Sequence, residues 1–144
     1  MRTHNLTYQG QPIDTSSESY GELNRSADAI DDIGELRRRF DRDGYLYLPG
    51  LLSKETLTDA RMSMLQALSA LDMVDLSHPL SQGVAKREFT VSARSMKDLS
   101  KDNLPLKEAL FGGPMIEFYQ RFLGGTIRPL DFTWCRVKTS HAGS

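Results

Sequence analysis

Histidine, cysteine and tryptophan are scarce in this chain, with three, one and one among 144 residues. A single cysteine, Cys135, excludes an internal disulfide framework and a cysteine-rich zinc site. Three histidines allow metal and general-base hypotheses to be checked one by one. There is no excess of either charge, since 18 basic residues face 19 acidic ones for a net charge of −1. No lopsided field therefore points to nucleic acid or to an anionic membrane. Nowhere does an apolar run approach the roughly 20 residues that span a bilayer, and the opening MRTHNLTYQGQPID has no apolar signal segment. The expectation is a soluble, cytoplasmic protein. Its 39% apolar and 26% charged residues suit one globular domain with a polar tail.

Residues 1–28 are polar and aperiodic, and read as a loose arm. From there Ala29, Ile33, Leu36 and Phe40 fall on one face of a helix. Asp28, Asp31, Asp32 and Glu35 crowd its start while Arg37, Arg38 and Arg39 crowd its end, an order that complements the helix dipole. Gly44 is placed to end that helix. Tyr45–Leu48 then reads as a short strand, and Pro49–Gly50 as a turn. Ser53 is a predicted N-cap for a second helix of about five turns, with Glu55 in its first turn. Leu57, Ala60, Met64, Ala67, Leu68 and Leu71 form the apolar face of that helix, and its methionines read as core filler.

Residues 72–103 carry the weakest pattern. SHPLSQGVAK reads as a loop and REFTVSA as a strand, with Phe89 and Val91 on one face. Leu106–Phe111 predicts a short helix stopped by Gly112 and Gly113. A further helix opens with Pro114 at its first position and closes at Gly124. From Leu130 the pattern is strand-like, with Phe132, Trp134 and Arg136 on one face and Thr133, Cys135 and Val137 on the other. Helices interleaved with a few strands define an α+β class.

None of the histidines pairs with another at helical spacing, and no nucleophile elbow or phosphate loop occurs. The stretch FDRDGYLYLPGLLSKETLTDARMSML, however, resembles the opening of the phytanoyl-CoA dioxygenase family. Phe40, Gly44, Tyr45, Pro49, Gly50, Leu51 and Leu52 fill that pattern, and LDFTWCRVKT is similar to the strand leading toward the family's iron site. The resemblance runs over about residues 30–140, with a weakly matched middle. It implies that residues 29–144 are the N-terminal part of such a domain, a helical N-terminal layer plus the first strands of an incomplete double-stranded β-helix. It also implies Fe(II) and 2-oxoglutarate as cofactors of the complete protein, which would oxidise a small organic molecule. In such centres two histidines and a carboxylate hold one face of the iron.

The family's His-x-Asp or His-x-Glu motif is not met by His4-Asn5-Leu6, His78-Pro79-Leu80 or His141-Ala142-Gly143. The ligand motif is therefore expected at or just beyond Ser144, and no catalysis and no metal binding are expected of these 144 residues by themselves. His141-Ala142-Gly143 has the form found in iron halogenases of the superfamily, in which a small residue replaces the carboxylate. With no second histidine after it, a plain loop histidine is the preferred reading. Under the resemblance, Trp134 and Arg136 are the residues expected to face cosubstrate or substrate. A buried arginine needs an anionic partner, whereas an outward Arg136 beside a core Trp134 is the equal alternative. Arg87 is a further residue that could line the cosubstrate pocket. The second hypothesis is a non-catalytic binding module, or a decayed gene product, that self-associates or binds a partner through open sheet edges.

Overall fold

The computed structural model describes residues 7–18, 20–89 and 99–130. Trp134, Arg136, Cys135, His4 and His141 lie outside these residues, as does most of the predicted REFTVSA strand beyond Phe89. The described part is mixed α and β. A hairpin of two-residue strands, β1 (Thr7–Tyr8) and β2 (Gln11–Pro12), precedes four α-helices: α1 (Ile33–Asp43), α2 (Lys54–Ala70), α3 (Leu104–Phe111) and α4 (Gly113–Leu123). Gln9 and Gly10 both take positive φ, the conformation that lets a two-residue turn follow the twist of an antiparallel pair. The polar arm thus carries a small exposed hairpin. At its far end Ser26 is buried and donates its backbone N–H to Tyr47 O at 2.8 Å.

The first predicted helix is divided. Ala27–Ala29 forms a 3₁₀ turn, and α1 starts only after Asp32, whose carboxylate accepts the Glu35 N–H at 2.9 Å. The acidic run that was expected to decorate one helix start thus supplies the cap that begins a second. The apolar residues still converge. Leu36 has no exposed surface and sits with Ala29 and Phe118, surrounded by Ile30, Ile33, Leu46, Leu48, Leu51 and Phe122. Phe118 and Phe122 stack at 5.7 Å, and Phe40 meets Phe122 edge-on at the same distance. Phe40 is therefore useful to the core although it is partly exposed.

Tyr45–Leu48 is extended but forms no ladder. It makes one parallel bridge, Tyr47 to Arg25, because the neighbouring chain turns into the 3₁₀ segment directly afterwards. Its alternation is nonetheless that of a strand. Leu46 and Leu48 enter the core, while the Tyr45 hydroxyl accepts the Asn24 N–H at 2.9 Å. Pro49 and Gly50 then form a turn closed by Leu51 N–H to Leu48 O, with Gly50 at φ +90° as a type II turn requires. Ser53 caps α2 through the Thr56 N–H, as its sequence position predicts. Leu57, predicted for the apolar face of α2, is instead nearly half exposed, whereas Ala60 on that face is buried.

Arginines tie the layer together. Arg37 donates from Nε and Nη2 to Phe122 O at 3.1 and 2.7 Å, which satisfies a carbonyl at the end of α4. Arg39 grips both oxygens of Asp28 at 2.7 and 2.8 Å and reaches Glu35 at 2.8 Å. Hydrogen bonds from Arg39 hold the Asp28 and Glu35 carboxyls below their ordinary range, with Arg38 adding to the effect on Glu35.

Both shifts are depressions, so their contribution to stability is present above the unfolded-state values near 4 and is lost as pH falls through the lowered folded values. The urea midpoint is expected to drop as pH falls below about 5, and Arg39→Ala should flatten part of that drop. An identical profile in the variant would show that the clamp does not couple folding to protons.

Candidate functional site

A groove of about 940 Å³ runs between α2 and α3. Its α2 wall is Glu55, Thr56, Asp59, Met62, Ser63 and Gln66, and its α3 wall is Leu104, Pro105, Lys107, Glu108 and Phe111. The α2 residues recur every three or four positions, which places them on one helical face. That face lies beside the one predicted from sequence, so α2 works on two sides.

Asn103 sets the spacing of the walls. Its side-chain oxygen caps α3 through the Leu106 N–H at 3.0 Å and also accepts the Ser63 hydroxyl at 2.7 Å. Its amide points to the Met64 sulfur at 3.5 Å. One side chain thus starts α3 and fastens it to the middle of α2. Asparagine suits the position because a single amide carries both an acceptor for the cap and a donor for the sulfur.

Charge in the groove is uneven. Glu55, Asp59 and Glu108 set three carboxylates against the ammonium of Lys107. The ion pairs among the described residues use Asp28, Asp31, Glu35, Asp43, Asp72 and Asp75, and none uses the three groove acids. Apolar surface lies open beside them: Leu104 is 73% exposed and Phe111 37%.

A serine, a histidine and an aspartate also meet, at the turn before Pro79. Ser77 Oγ lies 3.1 Å from His78 Nδ1, and Asp75 Oδ2 lies 3.6 Å from the same nitrogen. A catalytic relay needs the acid and the nucleophile on opposite ring nitrogens, so this arrangement cannot pass a proton from serine through histidine toward aspartate. Asp75 instead accepts the Ser77 backbone N–H at 2.9 Å and closes a local turn. The Ser77 hydroxyl, followed by its N–H, keeps the Asp75 carboxyl below its usual range.

Of the residues predicted to face cosubstrate, Arg87 is exposed at the end of the described loop, while Trp134 and Arg136 lie outside the described residues. No group of three His, Cys, Asp or Glu side chains among the described residues could hold a metal ion. His78, the one described histidine, is engaged by Ser77 and Asp75 in its own turn. The described residues therefore do not fit an iron centre.

The groove was missed in the sequence. Its signal is the second period of α2, in which Glu55, Asp59, Met62 and Gln66 recur at helical spacing. Among the described residues no helix is long and apolar enough to cross a membrane. Comparisons with family models, curated proteins and solved structures find no match to the chain.

Proposed function

We infer that the chain supplies the N-terminal helical layer of an Fe(II)- and 2-oxoglutarate-dependent dioxygenase of the phytanoyl-CoA dioxygenase kind. On this reading the β-helix strands begin in the C-terminal stretch that contains Trp134 and Arg136, and the iron ligands follow Ser144. The substrate would be a small organic molecule. One observation carries the reading, the order of local structures from Phe40 to Ser53. Phe40 lies in the last turn of α1, and Gly44 follows at φ +75° as the left-handed C-terminal glycine. An extended YLYL with both leucines inward comes next, then the Pro-Gly turn, then the Ser53-capped long helix. This order of helix, glycine, extended segment, Pro-Gly turn and long helix is what supports the reading.

The first test is to sequence the transcript across the codon for Ser144. An open frame that continues into His-x-Asp or His-x-Glu, with a distal histidine later, is the expected result. The continued product should then release succinate from 2-oxoglutarate only with Fe(II) present. A stop codon directly after Ser144 would remove the oxygenase reading.

A second reading, a non-catalytic binding module, is favoured by the open groove between α2 and α3. Its route through a sheet edge has little to work with among the described residues, where the one sheet is the two-residue hairpin.

A further inference from the structure

We propose that the groove between α2 and α3 docks one face of a basic amphipathic helix from a partner protein. This goes beyond the oxygenase reading and stands whether or not that reading holds.

The shape comes first. From Glu55 to Gln66, α2 advances about 16 Å, enough to lie along three turns of a helix. Both walls are helices, so an incoming helix can set its side-chain ridges into theirs. The apolar contacts offered are Met62, Leu104 and Phe111. Leu104 is the most exposed of the three, at 73%. An incoming apolar stripe would cover surface that this chain leaves in water.

Charge complementarity selects the partner. Glu55, Asp59 and Glu108 take part in none of the ion pairs among the described residues. Glu55 has an internal role, since a carboxylate in the first turn of α2 favours the helix start. Glu108 has the opposite placement. It sits in the last turn of α3, where the helix dipole is unfavourable to an anion and a nearby cation would be stabilising. Three carboxylates against Lys107 leave the groove with excess negative charge, which a lysine- or arginine-flanked helix would neutralise. An acidic helix, or an anionic lipid surface, would meet repulsion.

The test uses the full chain and a fluorescent synthetic peptide of about 18 residues, long enough to form a helix. The peptide carries leucines on one face and lysines beside them. Saturable binding in an anisotropy titration is expected, weakening as salt is raised. The double variant Asp59→Gln with Glu108→Gln should bind about tenfold more weakly, and Leu104→Ser should also weaken binding. These side chains are exposed and circular dichroism should be unchanged, which separates lost docking from lost folding. A matching peptide with glutamate in place of lysine should not bind.

Several results would overturn the proposal. They are the absence of saturation at about 1 mM peptide, a level that marks very weak affinity, equal binding of the acidic peptide, and unchanged binding by both variants. Sedimentation that shows self-association abolished by the same substitutions would assign the groove to a second copy of the chain and equally overturn it.

Discussion

Leu36→Ala is expected to lower the stability of the described helical layer by about 3 to 4 kcal/mol, within the range for fully buried leucines. Leu36 has no exposed surface and is the meeting point of the 3₁₀ turn, α1, the extended Tyr45–Leu48 segment and α4. Deleting its isobutyl group removes apolar contacts from all of them at once. The remaining walls have little room to close the space. Phe118 and Phe122 are stacked on each other, and the end of α4 is held to α1 by the Arg37 bonds to Phe122 O. A small domain has only about 5 to 15 kcal/mol of stability in all, so the variant should unfold at a much lower urea concentration. Leu36→Met, which nearly conserves volume, should cost less than about 1.5 kcal/mol. A loss below about 1 kcal/mol in the alanine variant would mean that the site collapses freely and that Leu36 is not the centre of a tight core.

The difference between Leu36 and its neighbours shows where sequence pattern is informative. Periodicity identified Ala29, Ile33, Leu36 and Phe40 as one face, and all four take part in a single packed layer. It did not reveal the break at residues 30–32, because apolar spacing is blind to whether a cap interrupts the helix. Asp32 decides that break through one hydrogen bond to the Glu35 N–H, and its neighbour Asp31 looks the same in a charge count. Ser53, Pro49–Gly50, Gly44 and Gly124 were legible because each satisfies a local demand, a cap or a positive φ, that few residue types can meet. Pro114 was also placed well. It occupies the second position of α4, one later than expected, still inside the first turn where its missing N–H costs nothing.

Tyr45–Leu48 was legible in its faces and not in its pairing. Alternation states which side chains go inward, but a strand needs a partner edge, and the neighbouring segment bends away after one bridge. The groove was harder still. It depends on where α3 docks, and that is set by Asn103 meeting Ser63 from 40 residues away. A residue as common as asparagine gives no warning of such a contact. The helix predicted over Leu106–Phe111 starts two residues earlier, at Leu104, and it turns Ala109 inward while Leu104 and Phe111 stay exposed.

Adjacent glycines at the α3–α4 corner should respond in opposite directions to the same substitution. Gly112 is buried, and its backbone conformation (φ −77°, ψ 176°) is one that any residue can adopt, so the constraint there is space. A Cβ on Gly112 would lie 2.2 Å from Glu108 O and 2.3 Å from Glu108 Oε1. The carboxylate could swing away. The carbonyl could not, because it accepts the Gly112 N–H at 2.8 Å and forms part of the last turn of α3. Gly112→Ala must therefore unwind that turn or tilt α4, and the expected loss is about 3 kcal/mol, the upper end of ordinary overpacking. A Cβ on Gly113 would meet only Glu117 Oε1, at an ordinary 3.7 Å. Gly113 is already helical, so alanine there reduces the freedom of the unfolded chain and should be stabilising by about 0.5 kcal/mol. Urea titration of the two variants side by side decides the matter. Equal midpoints would show that the corner relaxes around a methyl group, in which case the close approach of Glu108 to Gly112 does not hold α3 and α4 at their present angle.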